Sequence, residues 1–273
     1  MKRITSRQNA LVARFRAVAR GDEPGLLLDG PHLIAEALSA RAPIVQIAVT
    51  ADGLERPEIR SLVEQAEQRG APVASVSPAV MAAVSPVRSS SLIVAVAERP
   101  PVDSERVFVG TPLVVVACNV QDPGNLGAMI RVAEAAGGTG IIAAGQSADP
   151  FGPKALRGSM GSALRLPTLV TDAGDAIDRC KRHGCRVLAA VPHGGRSIFD
   201  TDLRGPFAIL IGGEGAGLTL SLINTADDRL SIPMQSPVES LNAAVTAALV
   251  LYEARRQRGT SIGQRNTSHV SLS

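Results

Sequence analysis

The segment CNVQDPGNLGAMIRVAEAAGG (118–138) places polar residues in a strand–turn–helix pattern. It follows the apolar run PLVVVA, and Asn125 is positioned to cap the helix that comes next. Gly137 is predicted to end that helix. Arg131 lies off the apolar side of the helix, so its side chain should extend over small residues towards the carboxyl end of the strand. Open α/β sheets bind ligands at that end. The apolar side itself is predicted to bury Leu126, Met129, Ile130 and Ala133.

Two structural interpretations of this segment stay open at this point. Arg131 could pair with Glu134, three residues later, in a contact worth only about 0.2–0.5 kcal/mol. The glycines could serve only the packing of the helix against the strand. A dinucleotide-binding loop, in contrast, is excluded, because G-x-x-G differs from G-x-G-x-x-G and no clear acidic ribose ligand follows the second strand.

The segment FAILIGGEGAGL (207–218) is a buried-strand pattern that ends in a glycine-rich loop with one acid, Glu214. Glycines let backbone amides approach a ligand closely or adopt positive φ angles. No Lys-Ser/Thr pair follows, so the loop is not of the Walker type. A carboxylate would also repel phosphates, which favours a neutral or cationic ligand. A simple tight turn remains the alternative.

A third segment, LSIPMQSPVESLNAAVTAALVLYEARR (230–256), joins a short strand to a helix that is apolar nearly all round. Such a helix is buried in a core or an interface. Ser240 is predicted to begin the helix as its cap, with Asn242 as a second polar group in the first turn. The same two side chains and the free amides could instead bind an anion. Each of the three segments is ambiguous when taken alone.

Alternating apolar strand runs and amphipathic helices surround these segments and predict two α/β domains. An N-terminal helix over about 7–20 precedes strands in GLLLD, PIVQIAVT, PVASV and LIVAVA. The polar, proline-rich stretch from 99 to 110 interrupts the pattern and is predicted to be a linker. A second α/β series has strands near 112–118, 139–144, 185–191, 207–212 and 229–233. A helix over about 240–257 follows, and 259–273 is predicted to be a flexible tail.

Composition narrows the class of protein. With 45% hydrophobic residues and no apolar run of about 18, the chain is predicted to be globular and without a membrane span. Three cysteines favour a reducing cytoplasm over a disulfide framework. Cys180, His183 and Cys185 lie close together, but with no second ligand pair we expect ordinary thiols and no metal. Before Asp22 there are six basic residues and no acid, which suits a polyanion such as nucleic acid or a solvated helix face.

In this order and spacing, the three segments resemble the SpoU family of RNA ribose 2′-O-methyltransferases within the SPOUT superfamily. The matching text is N-V-x-D-P-G-N-L-G-A-x-x-R-x-A-x-A-A-G, then I-G-x-E-G-x-G-L, then I-P-M-x(5)-S-L-N-A-A-V. The stretches LLLDGPHLIAEAL and SPVRSSSLIVAVAE resemble the substrate-binding domain that often precedes the catalytic one. The resemblance implies an α/β protein with a C-terminal SPOUT-type parallel sheet that carries a trefoil knot. A smaller ribosomal-protein-like α/β domain comes before it. The implied boundaries are 1–98 for the RNA substrate-binding domain and 111–258 for the methyltransferase domain.

By the same resemblance, S-adenosylmethionine is the cofactor and sits in the knot. Its implied binding residues are Gly212, Gly213, Ile232, Met234 and Leu241. The implied catalytic group, which acts on a ribose 2′-hydroxyl, consists of Arg131, Asn125, Glu214, Ser240 and Asn242. The loop before Ser240 departs from the family, because QSPVE lacks the glycine often found there.

The resemblance implies a homodimer in which Arg131 acts across the interface, with the apolar helix 241–252 as a plausible contact surface. RNA is the implied partner and 23S rRNA the expected substrate, with a tRNA substrate or a non-catalytic RNA-binding role as alternatives. Self-protection against a ribosome-targeting antibiotic is compatible with the family and stays open. From the basic N-terminal part we expect phosphate contacts by Arg3, Arg7, Arg14 and Arg88, with solvated surface arginines as the alternative. No membrane or metal partner is expected, and the expected location is the cytoplasm.

Overall fold

The computed structural model describes residues 2–87, 91–101 and 103–259. Of the predicted RNA contacts, Arg88 lies outside these residues, and so does most of the predicted tail. The described chain falls into two compact units. The first takes the residues up to Pro101 together with Asp149–Arg165, and the second takes the rest. The predicted methyltransferase domain, 111–258, includes 149–165, which the structure groups with the first unit.

The first unit is built on a five-stranded sheet in the order β1-β4-β3-β5-β2. Strands β1, β3 and β4 run parallel, and β5 pairs antiparallel with β3 and with β2. The strands are β1 (Lys2–Ile4), β2 (Leu26–Asp29), β3 (Ile44–Val49), β4 (Val73–Val76) and β5 (Ile93–Ala97).

Helices cover this sheet. They are α1 (Ala10–Arg20), α2 (Pro31–Ser39), α3 (Ala51–Glu55), α4 (Pro57–Gln68) and α5 (Pro78–Val84). Helix α1 begins at an Asn9 cap and ends at Gly21, and its predicted apolar residues Leu11, Phe15 and Val18 are buried. They share one apolar cluster with Val80, Met81 and Val84 of α5, so the two helices pack side by side on the sheet.

The segment 149–165 belongs to the first unit for identifiable reasons. It contains α7 (Pro153–Ser159), which packs against β2, the edge strand of that sheet. Arg99 donates to Asp149 at 2.7 Å and lies over the ring of Phe151. Arg165 pairs with Glu36 of α2. None of these contacts could be inferred from the order of the segments along the chain.

The second unit is a seven-stranded parallel sheet in the order β10-β12-β9-β11-β6-β7-β8. Its strands are β6 (Leu113–Cys118), β7 (Gly140–Ala144), β8 (Thr168–Thr171), β9 (Arg186–Ala190), β10 (Arg196–Ser197), β11 (Phe207–Gly212) and β12 (Asp228–Ser231). Its helices are α6 (Pro123–Ala136), α8 (Ala173–Arg182), α9 (Leu220–Thr225) and α10 (Ala243–Gln257). A 3-10 helix, Ser104–Phe108, falls within the stretch predicted as a linker, and its Val107 and Phe108 are buried in the core of this unit.

Two predicted helix starts are wrong. Asn125 does not cap α6; the cap is Asp122, whose carboxylate accepts a hydrogen bond from the Asn125 amide. The helix begins earlier because Pro123 suits its first position and has no amide to satisfy. Ser240 does not begin α10 either. Asn242 caps that helix, accepting from the amides of Ala244 and Val245.

Candidate functional site

The first two polar segments meet where β6 and β11 end side by side. The two strands are paired in parallel, with Gly212 opposite Cys118. Strand β7, the next in sequence after β6, lies on the side of β6 away from β11. The order in which the chain adds strands to the sheet therefore reverses between β6 and β11. Ligands of open α/β sheets bind in the crevice at such a point. The location therefore agrees with a ligand site built from both segments.

The glycine loop after β11 has no room for side chains at its start. A Cβ on Gly212 would lie 2.2 Å from the carbonyl carbon of Gly217, and one on Gly213 would lie 2.1 Å from the carbonyl oxygen of Asn119. Gly215 and Gly217 have positive φ angles of 85° and 63°. The first two glycines are thus needed for close backbone approach. The other two allow a turn that L side chains rarely adopt.

Three predicted catalytic side chains form one hydrogen-bonded cluster. Asn125 donates through Nδ2 to Oε1 of Glu214. Asn242 donates through Nδ2 to Oδ1 of Asn125 at 3.0 Å and to Oε1 of Glu214 at 3.2 Å. We call these residues the Asn–Glu–Asn cluster. It joins the starts of α6 and α10 to the glycine loop, so one set of contacts holds all three polar segments together.

Asn242 uses both ends of its side-chain amide. Its oxygen caps α10, and its nitrogen donates to Asn125 and Glu214. The residue that caps α10 is therefore also a member of the Asn–Glu–Asn cluster. Ser240 lies two residues earlier in the loop and is exposed.

A cavity of about 570 Å³ opens beside the cluster. All five predicted cofactor residues line it: Gly212, Gly213, Ile232, Met234 and Leu241. Glu214, Ser240 and Asn242 line it as well. Val191 and Pro192, from the loop after β9, also contribute to its wall and were not foreseen from the sequence. They follow an ordinary buried strand with no polar motif, so no local signal pointed to them.

The chemistry of this cavity fits S-adenosylmethionine. Its volume lies within the roughly 300–1,000 Å³ that small-molecule sites occupy. Aliphatic side chains such as Ile211, Leu230 and Val250 supply apolar walls for a flat base, and the glycine loop supplies backbone polar groups. Glu214 is the one charged residue among the lining residues that the structure describes. A cofactor with a positive sulfonium suits that balance better than a polyphosphate does.

Arg131 is not part of the cluster. It is exposed on α6, six residues beyond Asn125, which is about 9 Å along the helix. Within residues 2–87, 91–101 and 103–259, no hydrogen bond or ion pair of Arg131 is found. The alternative of an Arg131–Glu134 pair is thus not seen, and the guanidinium faces solvent.

Asn119 was missed by the sequence reasoning but holds the end of β6 in place. Its φ angle is 55°, a left-handed conformation that Asn tolerates better than most residues. Its side-chain oxygen accepts from the Gln146 amide at 2.8 Å, and its carbonyl abuts Gly213. The sequence shows only that an Asn follows the apolar run of β6. That pattern does not distinguish an Asn that forms a turn from an Asn that supports a ligand site.

The three cysteines are buried in the core of the second unit. Burial raises the pKa of Cys118 and Cys180 to about 12 and that of Cys185 to about 11.

Among the described residues, no group of three or more His, Cys, Asp or Glu side chains is placed to hold a metal ion. In the same part of the chain, no helix is long and apolar enough to cross a membrane.

Two family models match the chain. The model of the SpoU rRNA methylase family covers residues 112–252, and the model of the RNA 2′-O ribose methyltransferase substrate-binding domain covers residues 27–101. Among curated proteins, the 23S rRNA (guanosine(2553)-2′-O)-methyltransferase RlmP of Bacillus subtilis is 30% identical over 259 residues, with 93% of this chain and all of the relative aligned. A 23S rRNA (uridine(2479)-2′-O)-methyltransferase of Streptomyces viridochromogenes is 39% identical over 176 residues, 61% of this chain and 60% of the relative.

Solved structures give the same result. The SpoU methyltransferase AviRb of Streptomyces viridochromogenes, in complex with AdoMet, superimposes with a TM-score of 0.82 at 30% identity and covers 92% of this chain and 98% of that one. An AdoMet-bound rRNA methyltransferase of Sinorhizobium meliloti gives a TM-score of 0.81 at 28% identity, over 93% and 97% of the two chains. The α/β fold, the methyltransferase class and the cofactor S-adenosylmethionine predicted from the sequence are therefore confirmed. With its three polar segments assembled at one end of a parallel sheet, the chain belongs to the SpoU rRNA methylase family.

Proposed function

We propose that this protein transfers the methyl group of S-adenosylmethionine to a ribose 2′-hydroxyl of 23S rRNA. The observation that carries the proposal is the cavity lined by all five predicted cofactor residues, with the Asn–Glu–Asn cluster at its edge. The two named relatives act on 23S rRNA, which favours that RNA over tRNA.

The chemistry needs few protein groups. When bound, S-adenosylmethionine supplies a methyl group on a positively charged sulfur. The protein has to align a ribose hydroxyl with that methyl and exclude competing geometries, so catalysis comes mainly from proximity. Arg131 is the group that suits RNA: its guanidinium is exposed and has a fork of donors for a phosphate or ribose. A guanidinium is a poor general base, so Arg131 grips the target while the neighbouring phosphate assists loss of the proton.

The other predicted catalytic residues have supporting roles in this proposal. Asn125 and Asn242 hold Glu214 and thereby fix the glycine loop against α6 and α10. Ser240, on the exposed loop that lines the cavity, is placed to contact cofactor or substrate.

We also propose that the protein acts as a homodimer. Val245, Leu249 and Tyr252 form an exposed apolar stripe at helical spacing on α10, 40–51% exposed. Helices α6 and α10 pack in parallel, since Asn242 contacts Asn125 near their starts and Arg255 donates to Ala135 near their ends. Arg131 and Leu249, both exposed, are therefore about level along the axes of the two helices.

The function is tested by incubating the purified protein with radiolabelled S-adenosylmethionine and either total rRNA or tRNA. Reverse-transcription stops then map the methylated ribose. We expect label in 23S rRNA at one nucleotide. Label only in tRNA would overturn the substrate assignment, and cofactor binding without transfer to any RNA would favour an RNA-binding protein of the same fold.

Arg131→Ala should abolish transfer while the S-adenosylmethionine Kd stays within a few-fold, because Arg131 does not line the cavity. If Arg131 acts across a dimer, mixing Arg131→Ala with the cofactor-binding variant Gly212→Val should restore part of the activity. In such heterodimers, one site has both an intact cavity and the partner's Arg131. No recovery in proven heterodimers would contradict action across the interface. The trefoil knot, the domain boundaries and the cytoplasmic location stay predictions.

A further inference from the structure

The two sides of the first unit differ sharply in charge. Residues 2–21 and 71–97, which include α1, α5 and the strands β1, β4 and β5, contain no Asp or Glu. The stretch 51–69, which includes α3 and α4, contains five acids, all exposed: Asp52, Glu55, Glu58, Glu64 and Glu67. The second stretch also contains three arginines, so five acids leave it a formal charge of −2, whereas 2–21 and 71–97 together have seven basic residues and a charge of +7. A polyanion is therefore favoured on the acid-free side.

Two arginines on the acid-free side are held in place by α5. Arg7 donates through Nε to the carbonyl oxygen of Ala79 at 3.0 Å, and Arg16 donates through Nε to that of Ala83 at 2.9 Å. Both arginines are exposed. The two acceptors are four residues apart on one helix, so they are spaced by about 6 Å along its axis.

This contact orders the guanidinium groups without using up their donors. A guanidinium has five N–H groups, and the Nε contact engages one, leaving the Nη fork for another partner. That fork is the part that binds phosphate oxygens in pairs. Because much of the side-chain entropy has already been lost in the free protein, binding costs less than for a mobile arginine. Capping the carbonyls of α5 alone would not require the acid-free surroundings.

Three other basic residues of the described N-terminal segment, Arg3, Arg14 and Arg20, are directed elsewhere or paired. Arg14 and Arg16 are two positions apart and so point about 160° apart around α1, which places Arg14 on the flank away from α5. Arg3 precedes Ile4, which is buried in the cluster shared with α1 and α5, so alternation directs Arg3 to the opposite face of the sheet. Arg20 is paired with Asp22 at 2.7 Å.

We propose that Arg7 and Arg16, held on the carbonyls of α5, form an RNA-docking surface that grips backbone phosphates of the substrate. The proposal rests on the RNA substrate of the proposed function and assigns the contact to Arg7 and Arg16 rather than to Arg3 and Arg14. The contact reads no sequence, because phosphates are the same in every RNA. The surface holds the substrate, and the target nucleotide is selected elsewhere.

The test measures affinity for a 23S rRNA transcript by filter binding between 50 and 200 mM salt. Each phosphate contact contributes about 0.7–0.9 to the slope of log K against log salt. Loss of one contact at 0.1 M salt thus weakens binding by about 5- to 8-fold, and the Arg7→Ala/Arg16→Ala double variant by about 25- to 60-fold. The slope should fall by about 1.4–1.8 in the double variant.

Two single variants are matched controls. Arg14→Ala removes the same charge from the other flank of α1. Arg60→Ala removes an exposed arginine whose Nε also donates to a helix carbonyl, that of Leu54, but among the acids of α3 and α4. Both variants should change RNA affinity by less than about two-fold, which is well below the about 5- to 8-fold expected for loss of one phosphate contact. Arg7→Gln/Arg16→Gln keeps a donor for the α5 carbonyls while removing the charge, so it tests the proposal even if the alanine variant is less stable.

Equal affinities and slopes for the double variants and the controls would overturn the proposal. The double variants should raise the KM for RNA by about the same factor as the RNA Kd, while the Kd for S-adenosylmethionine stays at the wild-type value. A wild-type protein that binds RNA but transfers no methyl group would instead overturn the proposed function, and the salt slopes would still decide this inference.

Discussion

Asn242→Asp separates the two tasks of Asn242. The substitution keeps an oxygen that can cap α10, and Asp caps helices about as well as Asn. A negative charge at a helix start adds about 0.3–1 kcal/mol of stability. It removes, however, the amide nitrogen that donates to Asn125 and Glu214 at 3.0 and 3.2 Å. The fold should therefore persist while the Asn–Glu–Asn cluster comes apart.

The loss can be estimated from the contacts. A hydrogen bond to the Glu214 carboxylate is worth about 1.5–3 kcal/mol, and one to the neutral Asn125 oxygen about 0.5–1.5 kcal/mol. Two carboxylates at this distance repel by at least about 1 kcal/mol even with the screening of bulk water. The total of about 3–5.5 kcal/mol corresponds to a fall in kcat/KM of about 10²- to 10⁴-fold. The same contacts stabilise the folded state, so after the about 0.3–1 kcal/mol gained at the helix start the free energy of unfolding should fall by up to about 2–5 kcal/mol.

The assay compares methyl transfer and urea unfolding for wild type, Asn242→Asp and Asn242→Ala. Asn242→Ala, which also loses the helix cap, should be less stable than Asn242→Asp by about 0.5–2 kcal/mol. The introduced carboxyl faces another carboxylate, so its pKa should be raised and its protonated form should again donate a hydrogen bond. Activity relative to wild type should then increase as the pH falls from 8 to 5. Activity within ten-fold of wild type at pH 8 would refute the role assigned to the cluster, and a flat pH ratio would refute the carboxylate pair.

Three further substitutions test other parts of the second unit. Gly212→Val should raise the S-adenosylmethionine Kd at least ten-fold by calorimetry, because its Cβ would lie 2.2 Å from the Gly217 carbonyl carbon and displace the loop; an unchanged Kd would contradict the mapping of the site. Arg258→Met should lower the free energy of unfolding by about 2–4 kcal/mol, since Arg258 donates to four backbone carbonyls; urea denaturation measures it. Hydrogen bonds from Arg256 hold the pKa of Glu253 at about 2 instead of 4.5, so this carboxylate stabilises the fold above pH 4.5, and that contribution is lost as the pH falls to about 2. Glu253→Gln should flatten the dependence of unfolding on pH over that window, and an unchanged slope would refute the assignment.

The long buried strands were predictable because parallel strands covered on both faces are apolar throughout. PLVVVA and FAILIG contain little else, and the observed β6 and β11 start or end within a residue or so of the predicted bounds. Edge strands lack this signal. Strand β8, with the sequence TLVT and Val170 57% exposed, was missed for that reason. The short helix α5 was missed as well, because seven residues do not establish a helical period.

The predictions of the two helix starts were wrong for a different reason. Polar residues crowd both starts, and several of them can cap. In α6 the proline at the first helical position decides between Asp122 and Asn125, and the sequence carried that information. In α10 the choice of Asn242 over Ser240 depends on Asn125 and Glu214, which are 117 and 28 residues away. Only the folded arrangement contains that information.

The Asn–Glu–Asn cluster also changes how the site should be divided. By sequence, Asn125 belongs with Arg131 in one segment and Glu214 belongs with the cofactor loop in another. In the structure, Glu214 lines the cavity and accepts hydrogen bonds from Asn125 and Asn242, so cofactor side and substrate side share a carboxylate. Arg131 contacts none of these groups. We therefore expect Arg131→Ala to lower the rate of methyl transfer and leave the affinity for S-adenosylmethionine unchanged. Asn242→Asp should lower both the rate and the affinity, because it moves Glu214 at the cavity wall.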